Sequence, residues 1–154
     1  RKMRRLAREV PGAAIESYST AAAVAARLSA FFDLHRRSHA GKARFMDDRM
    51  EGFFRTAVGA LAQRGMARLW MLEQERRALA VYVCIEWPGV VGLYNSGFDS
   101  AAASLSPGIV LLGHVIRDAI ERRVPRFDFL RGEEPYKLAF GARSEDLYRI
   151  RVTR

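Results

Sequence analysis

The chain of 154 residues holds one cysteine and three lysines, and it has no long apolar run. Each scarcity excludes something. A lone cysteine, Cys84, rules out an internal disulfide framework, and its place inside the apolar run AVYVCIEW makes it core filling that suits a reducing, cytoplasmic compartment. No stretch approaches the roughly 20 consecutive apolar residues that a membrane helix needs, and the opening RKMRRLAREV lacks the apolar centre of a secretory leader. His35 and His39 stand four apart, but Arg36, Arg37 and Ser38 lie between them with no glutamate, and two neighbouring positive charges oppose a dication, so no metal is expected. Neither a Ser-His-Asp order, nor a supported cysteine-histidine pair, nor the signature of a nucleic-acid-binding module is present.

What is present suffices for one good core, since 49% of the residues are hydrophobic, and the length is short for two domains. The net charge is +9, and of 26 basic residues only Lys2, Lys42 and Lys137 are lysines, the remainder being arginine. Together with abundant alanine, this fits either a solvated surface shaped by genome composition or a surface that meets phosphates in a cofactor, an RNA or an anionic membrane. The first residue is Arg1, so residues 1–10 read as the basic helical remnant of a preceding part of a longer chain, and residues 11–154 as a single domain.

After the Pro11-Gly12 break, Ala13 to Tyr18 reads as a short strand. From Thr20, a suitable N-cap, Val24, Leu28, Phe31, Phe32 and His35 recur at helical spacing, predicting a helix that ends near Ser38. His39 to Arg44 reads as a loop. Asp47 can cap a second helix with the apolar stripe Met50, Phe53, Phe54, Ala57, Val58 and Leu61, closed by Gly65. Ala67–Glu73, Arg77–Trp87 and Val90–Phe98 then form an antiparallel meander whose central strand is apolar on both faces, and hence covered on both. A helix begins at Pro107, where proline costs no hydrogen bond, with Arg117 and Glu121, and Asp118 and Arg122, paired on its wet face. The strand RFDFL follows, and a right-handed crossover makes it parallel to Val90–Phe98. A short helical turn at Glu134–Phe140 and an alternating strand, Leu147–Thr153, complete the chain.

The order β-α-α-β-β-β-α-β-α-β predicts an α/β fold, a mixed sheet with helices on both faces. This order resembles the acyl-CoA N-acyltransferase fold of the GNAT superfamily. The motifs YNSGFD (Tyr94–Asp99), LSPG (Leu105–Gly108) and FDFLRGEEPYKLAFGA (Phe127–Ala142) are similar to those of acetyltransferase-like domains in bacterial envelope-polysaccharide proteins, which are similar in turn to the FemAB peptidyltransferases of cell-wall synthesis. The resemblance implies transfer of an acyl group from a thioester such as acetyl-CoA to an amine or hydroxyl, for instance on a saccharide. Its variants are an aminoacyl transferase that uses charged tRNA and a binding domain that has lost the chemistry. One departure stands out: where acyl-CoA-dependent members carry a glycine-rich loop with a basic anchor, this chain has Ser104-Leu105-Ser106-Pro107-Gly108-Ile109, with one glycine and no basic residue.

Elementary chemistry supports a weaker form of the same proposal. The start of the helix at Pro107 offers unpaired N–H groups and a positive dipole end, with Ser104, Ser106, Gly108 and Ile109 as the expected donor-binding residues. Asp128, in the middle of an apolar strand, either ties down the turn that follows, through backbone N–H groups, Lys137 or an arginine, or acts as a general base. Acyl transfer needs a base for the nucleophile and a partner for the developing oxyanion, and often an acid for the leaving thiolate. Tyr136 is the candidate acid and Lys137 the candidate phosphate or oxyanion partner; Glu86 is a second candidate base, by resemblance to carboxylates on middle strands of the superfamily. His35 reads as core or as the wall of an acceptor groove, and Tyr94, from YNSGFD, as a further acceptor contact.

Overall fold

The computed structural model describes residues 1–153. Helix α1 (Lys2–Glu9) precedes β1 (Ala14–Tyr18), and three helices follow, α2 (Ala21–Ser38), α3 (Ala40–Phe45) and α4 (Asp48–Gln63). The meander β2 (Ala67–Gln74), β3 (Arg77–Trp87) and β4 (Val90–Phe98) leads through a 3-10 helix (Ser100–Leu105) to α5 (Pro107–Glu121), β5 (Arg126–Asp128) and α6 (Pro135–Ala139). The strands lie in sequence order in one sheet, with β4 and β5 parallel and every other pair antiparallel.

The helix starts follow local capping chemistry. Thr20 Oγ1 accepts from the Ala23 N–H at 3.3 Å, and Asp47 Oδ1 accepts from the Met50 N–H at 2.8 Å. The segment expected to be a loop, His39–Arg44, is mostly helical in α3, because His39 caps it, its ring Nδ1 accepting from the Gly41 N–H at 3.0 Å. Alternation along β3 sends Ala80, Tyr82 and Cys84 toward α5 and Val81 and Val83 toward α2 and α4, so the sheet separates two apolar layers. Leu28, Phe31 and Phe32 of α2 and Phe54 of α4 are fully buried in the second layer, each worth about 1.5–3 kcal/mol over an exposed position.

Two strand expectations change. RFDFL pairs over Arg126–Asp128 only, because the Asp128 carboxylate accepts the Leu130 N–H at 2.7 Å and Leu130 turns to a φ of 53°. Among the described residues Leu147–Thr153 forms no strand and pairs with none, and Leu147, Tyr148, Ile150 and Val152 are 84–88% exposed. The sheet therefore ends in a fork. β5 covers Val90, Val91 and Gly92, and from Leu93 onward β4 has no strand on that side. At the same point β4 carries a bulge, since Cys84 faces Leu93 while Val83 faces Asn95, which leaves Tyr94 as the extra residue.

Candidate functional site

The start of α5 lies at the carboxyl end of β4, where the fork is open. Its N-cap, Ser106, sits in the left-handed region at φ 52° and makes no capping bond of its own. Gly108 leaves the first turn uncrowded, since a Cβ there would meet only the Tyr82 hydroxyl at 3.7 Å. That hydroxyl donates to the Gly108 carbonyl at 3.3 Å. The basic group missing from residues 104–109 arrives from α1, which packs on α5 through Leu6 and Met3. Lys2 Nζ donates to Ser106 Oγ at 2.8 Å, and Arg5 donates to the Ser104 carbonyl at 3.3 Å. Arg1, Arg4, Arg5 and Arg8 face an open cleft of about 800 Å³ in which Glu9 is the acid, its carboxyl held low by the hydrogen bond from Arg5.

Tyr136, on α6, is half-buried against Phe129 with ring centroids 6.3 Å apart. Burial, and then the nearby Glu134 charge, push its phenol above the usual range. Tyr82 is pushed up by burial and then by Tyr136, so the two hydroxyls and the first turn of α5 form one neighbourhood, with both phenols protonated at neutral pH. Ile109 follows Gly108 in that turn, and Ser104 lies in the last turn of the 3-10 helix before it.

The other wall of the fork comes from α2 and α3. Without a strand beside them, Ser96 and Phe98 are satisfied by side chains. Ser38 Oγ accepts from the Phe98 N–H at 2.7 Å, and Lys42 Nζ donates to the Ser96 carbonyl at 2.7 Å and to its hydroxyl at 3.4 Å. Gly97 permits this approach, since a Cβ there would fall 2.6 Å from the His35 backbone nitrogen. Tyr94, on the bulge, stacks on Phe54 at 5.6 Å and keeps part of its ring exposed. His35 lies beneath this surface at 2% exposure with Nδ1 unpartnered; burial and then the Lys42 charge pull it down to about 4, so the ring is neutral. His35 is thus part of the floor, while His39 is a helix cap.

The structure separates several residues that the sequence suggested together. Glu86 lies at the far end of the sheet, because β3 runs antiparallel to β4, and there it is clamped by Arg68 at 3.0 Å and Arg122 at 3.0 and 3.1 Å. Asp128 is spent on the Leu130 N–H and on Arg126 at 3.3 Å, which makes it the residue that ends β5 and opens the fork. Lys137 is buried and donates to the carbonyls of Arg131 at 2.8 Å and Gly132 at 3.1 Å, with Glu134 Oε2 at 2.8 Å, so its ammonium holds the turn. Lys42 and Glu134 were missed by the sequence reading. Glu134 lies in the segment that reads as a short helical turn, and Lys42 in the segment that reads as a loop. Asp99, closing YNSGFD, is also structural: burial alone would raise its carboxyl, but Arg77 at 2.5 Å and the Ala101 N–H at 3.0 Å hold it low. Among the described residues no group of three or more His, Cys, Asp or Glu gathers to hold a metal, and no helix is long and apolar enough to cross a membrane.

The family model for the acetyltransferase (GNAT) domain matches residues 1–138. The chain belongs to that family. As a GNAT domain it is an acyltransferase, and its fold is shared with solved acetyltransferases. A GNAT-family N-acetyltransferase from Ralstonia eutropha JMP134 is 17% identical with a TM-score of 0.67, over 92% of this chain and 99% of that one. An aminoglycoside acetyltransferase from an uncultured soil metagenomic sample, in complex with sisomicin, is 12% identical with a TM-score of 0.61, over 93% and 97%. The ribosomal-protein-S18-alanine N-acetyltransferase of Escherichia coli is 21% identical with a TM-score of 0.56, over 73% of this chain and 62% of that enzyme. No curated protein sequence matches this chain.

Proposed function

We propose that this GNAT domain takes acetyl-CoA or a related acyl-CoA at the mouth of α5 and transfers the acyl group to an amine or hydroxyl of a saccharide, in envelope-polysaccharide or cell-wall synthesis. The observation that carries the donor assignment is the arrival of Lys2 and Arg5 at Ser106 and Ser104, which returns to α5 the positive charge that its own loop lacks. Free N–H groups of the first helical turn and the α1 cations make an environment suited to donor phosphates. The acceptor enters from the α3 side, over Tyr94 and Ser96. In this reading the acceptor attacks the thioester carbonyl, and its proton leaves to solvent or to a carboxylate at the groove. Tyr136, kept protonated by burial, hydrogen-bonds the departing thiolate. Two fold relatives are named for acetyl transfer to a ribosomal-protein alanine and to aminoglycosides, the first as an N-acetyltransferase, which agrees with an amine acceptor.

The test is release of free thiol from acetyl-CoA in the presence of glucosamine or of glucose. Thiol release that needs a sugar and fails in Tyr136→Phe supports the reading; a folded chain that never consumes acetyl-CoA contradicts it. A second reading, aminoacyl transfer from charged tRNA, draws on the four arginines of the α1 cleft, Arg1, Arg4, Arg5 and Arg8. It predicts binding to tRNA that weakens steeply with salt, whereas coenzyme A binding falls far less.

A further inference from the structure

Lys42 is a half-buried cation with no carboxylate partner among the described residues. Its ammonium reaches one carbonyl and one hydroxyl, both of Ser96, and among the described residues it makes no ion pair within 4.0 Å. Burial pushes its pKa down, and the acid that acts against this is Glu134, on the facing turn. Glu134 is already neutralised by Lys137 at 2.8 Å. A partly buried ammonium keeps an unmet demand for negative charge, and a carboxylate meets it with a short charge-assisted hydrogen bond. The position is also functional in its geometry. Lys42 binds the stretch of β4 that β5 has left, at Ser96, two residues beyond the bulged Tyr94, and it lies near enough to Glu134 for each charge to act on the other.

We propose that Lys42 anchors a carboxylate of the acceptor, so that the groove between α3, β4 and the 131–134 turn takes an amine or hydroxyl compound that also carries an acid group, in preference to a polycationic one. The carboxylate sits on Lys42 and the Ser96 hydroxyl, and the reacting amine or hydroxyl points along the fork toward the donor. This assignment rests on the acetyl-transfer reading for its reacting groups, although carboxylate binding can be tested without it. It also sets the expected acceptor apart from sisomicin, the polycationic aminoglycoside in complex with one fold relative.

The experiment uses the scarcity of lysine. With three lysines in the chain, protein labelled with carbon-13 at the lysine ε-carbon gives three resolvable environments, Lys2, Lys42 and Lys137. Paired probes are titrated: muramic acid against glucosamine, and alanine against alaninamide. The expected result is a Lys42 signal that moves with the acids, which bind about tenfold tighter than their partners without a carboxylate. In Lys42→Met that preference falls to about one, and Lys42→Arg retains most of it, which separates loss of charge from loss of fold. The proposal is overturned if the acids bind no better than their partners, if Lys42→Met keeps the preference, or if no acid moves the Lys42 signal in protein that binds acetyl-CoA. Acetyl-CoA is titrated in parallel: its failure to bind sinks the donor assignment and leaves the carboxylate preference to stand or fall on its own arms.

Discussion

Lys42 and Lys137 lie on opposite walls of the same fork and show how differently one side chain can be used. Lys137 is surrounded by acceptors, two backbone carbonyls and a carboxylate, and its burial is the means by which residues 131–137 form a fixed turn. Lys42 is half-buried, yet among the described residues its ammonium hydrogen-bonds only Ser96. A satisfied buried ion holds structure together, and an unsatisfied one is a cost retained where binding can repay it. In the sequence Lys137 stands within the more specific motif, as a candidate phosphate or oxyanion partner or as a tie for the turn, and its contacts in the structure are those of the tie.

The widest break of this comparison is Gly97→Ala. A Cβ at that position meets backbone atoms of Leu34 and His35 at 2.6–2.7 Å, so α2 must lift away from β4 and carry Lys42 off Ser96. The expected loss is about 3 kcal/mol in urea unfolding, with an equal loss of whatever the Lys42 wall binds. Next is Lys137→Met, which strips the turn of its central donor and should cost about 2 kcal/mol in the same measurement. Lys42→Met should change stability by about 1 kcal/mol or less, because relief of desolvation offsets the lost Ser96 hydrogen bonds. A Lys42→Met variant as damaged as Lys137→Met would erase the distinction.

A pH titration sharpens it further. His35 is drawn down to about 4 from 6.5 in the folded chain. The unfolded chain therefore binds the proton more readily, and no stability is lost to this group above pH 6.5. Stability falls as pH drops from 6.5 toward 4, by roughly 3 kcal/mol at most, and the slope vanishes below the folded value. His35→Phe should flatten that part of the profile. The smallest effect is expected at α1: Lys2→Ala with Arg5→Ala should weaken acetyl-CoA by about three- to tenfold, and less at high salt, without altering unfolding.

Much of the architecture was legible because its signals are local. Thr20, Asp47 and Pro107 announce helix starts, Pro88-Gly89 a hairpin, and the strand-helix-strand order a parallel crossover. The final strand failed for the converse reason. Leu147–Thr153 alternates correctly, but alternation supplies no partner, and β5 had already stopped at Asp128. At the site, the segment around Pro107 was visible as a helix start, while its cations were not, since Lys2 and Ser106 are 104 residues apart. Glu86 misled because its type and strand were right and its end of the sheet was not. Lys42 was hidden by the glycine beside it, which made a capped helix look like a loop.

The most direct measurement is calorimetric titration of acetyl-CoA into the folded chain and into Gly108→Trp. The account predicts saturable binding by the parent chain and none by the variant, with both showing the same unfolding curve, because the indole fills the first turn of α5. Equal binding by the two, or none by either, would contradict the donor site at that helix.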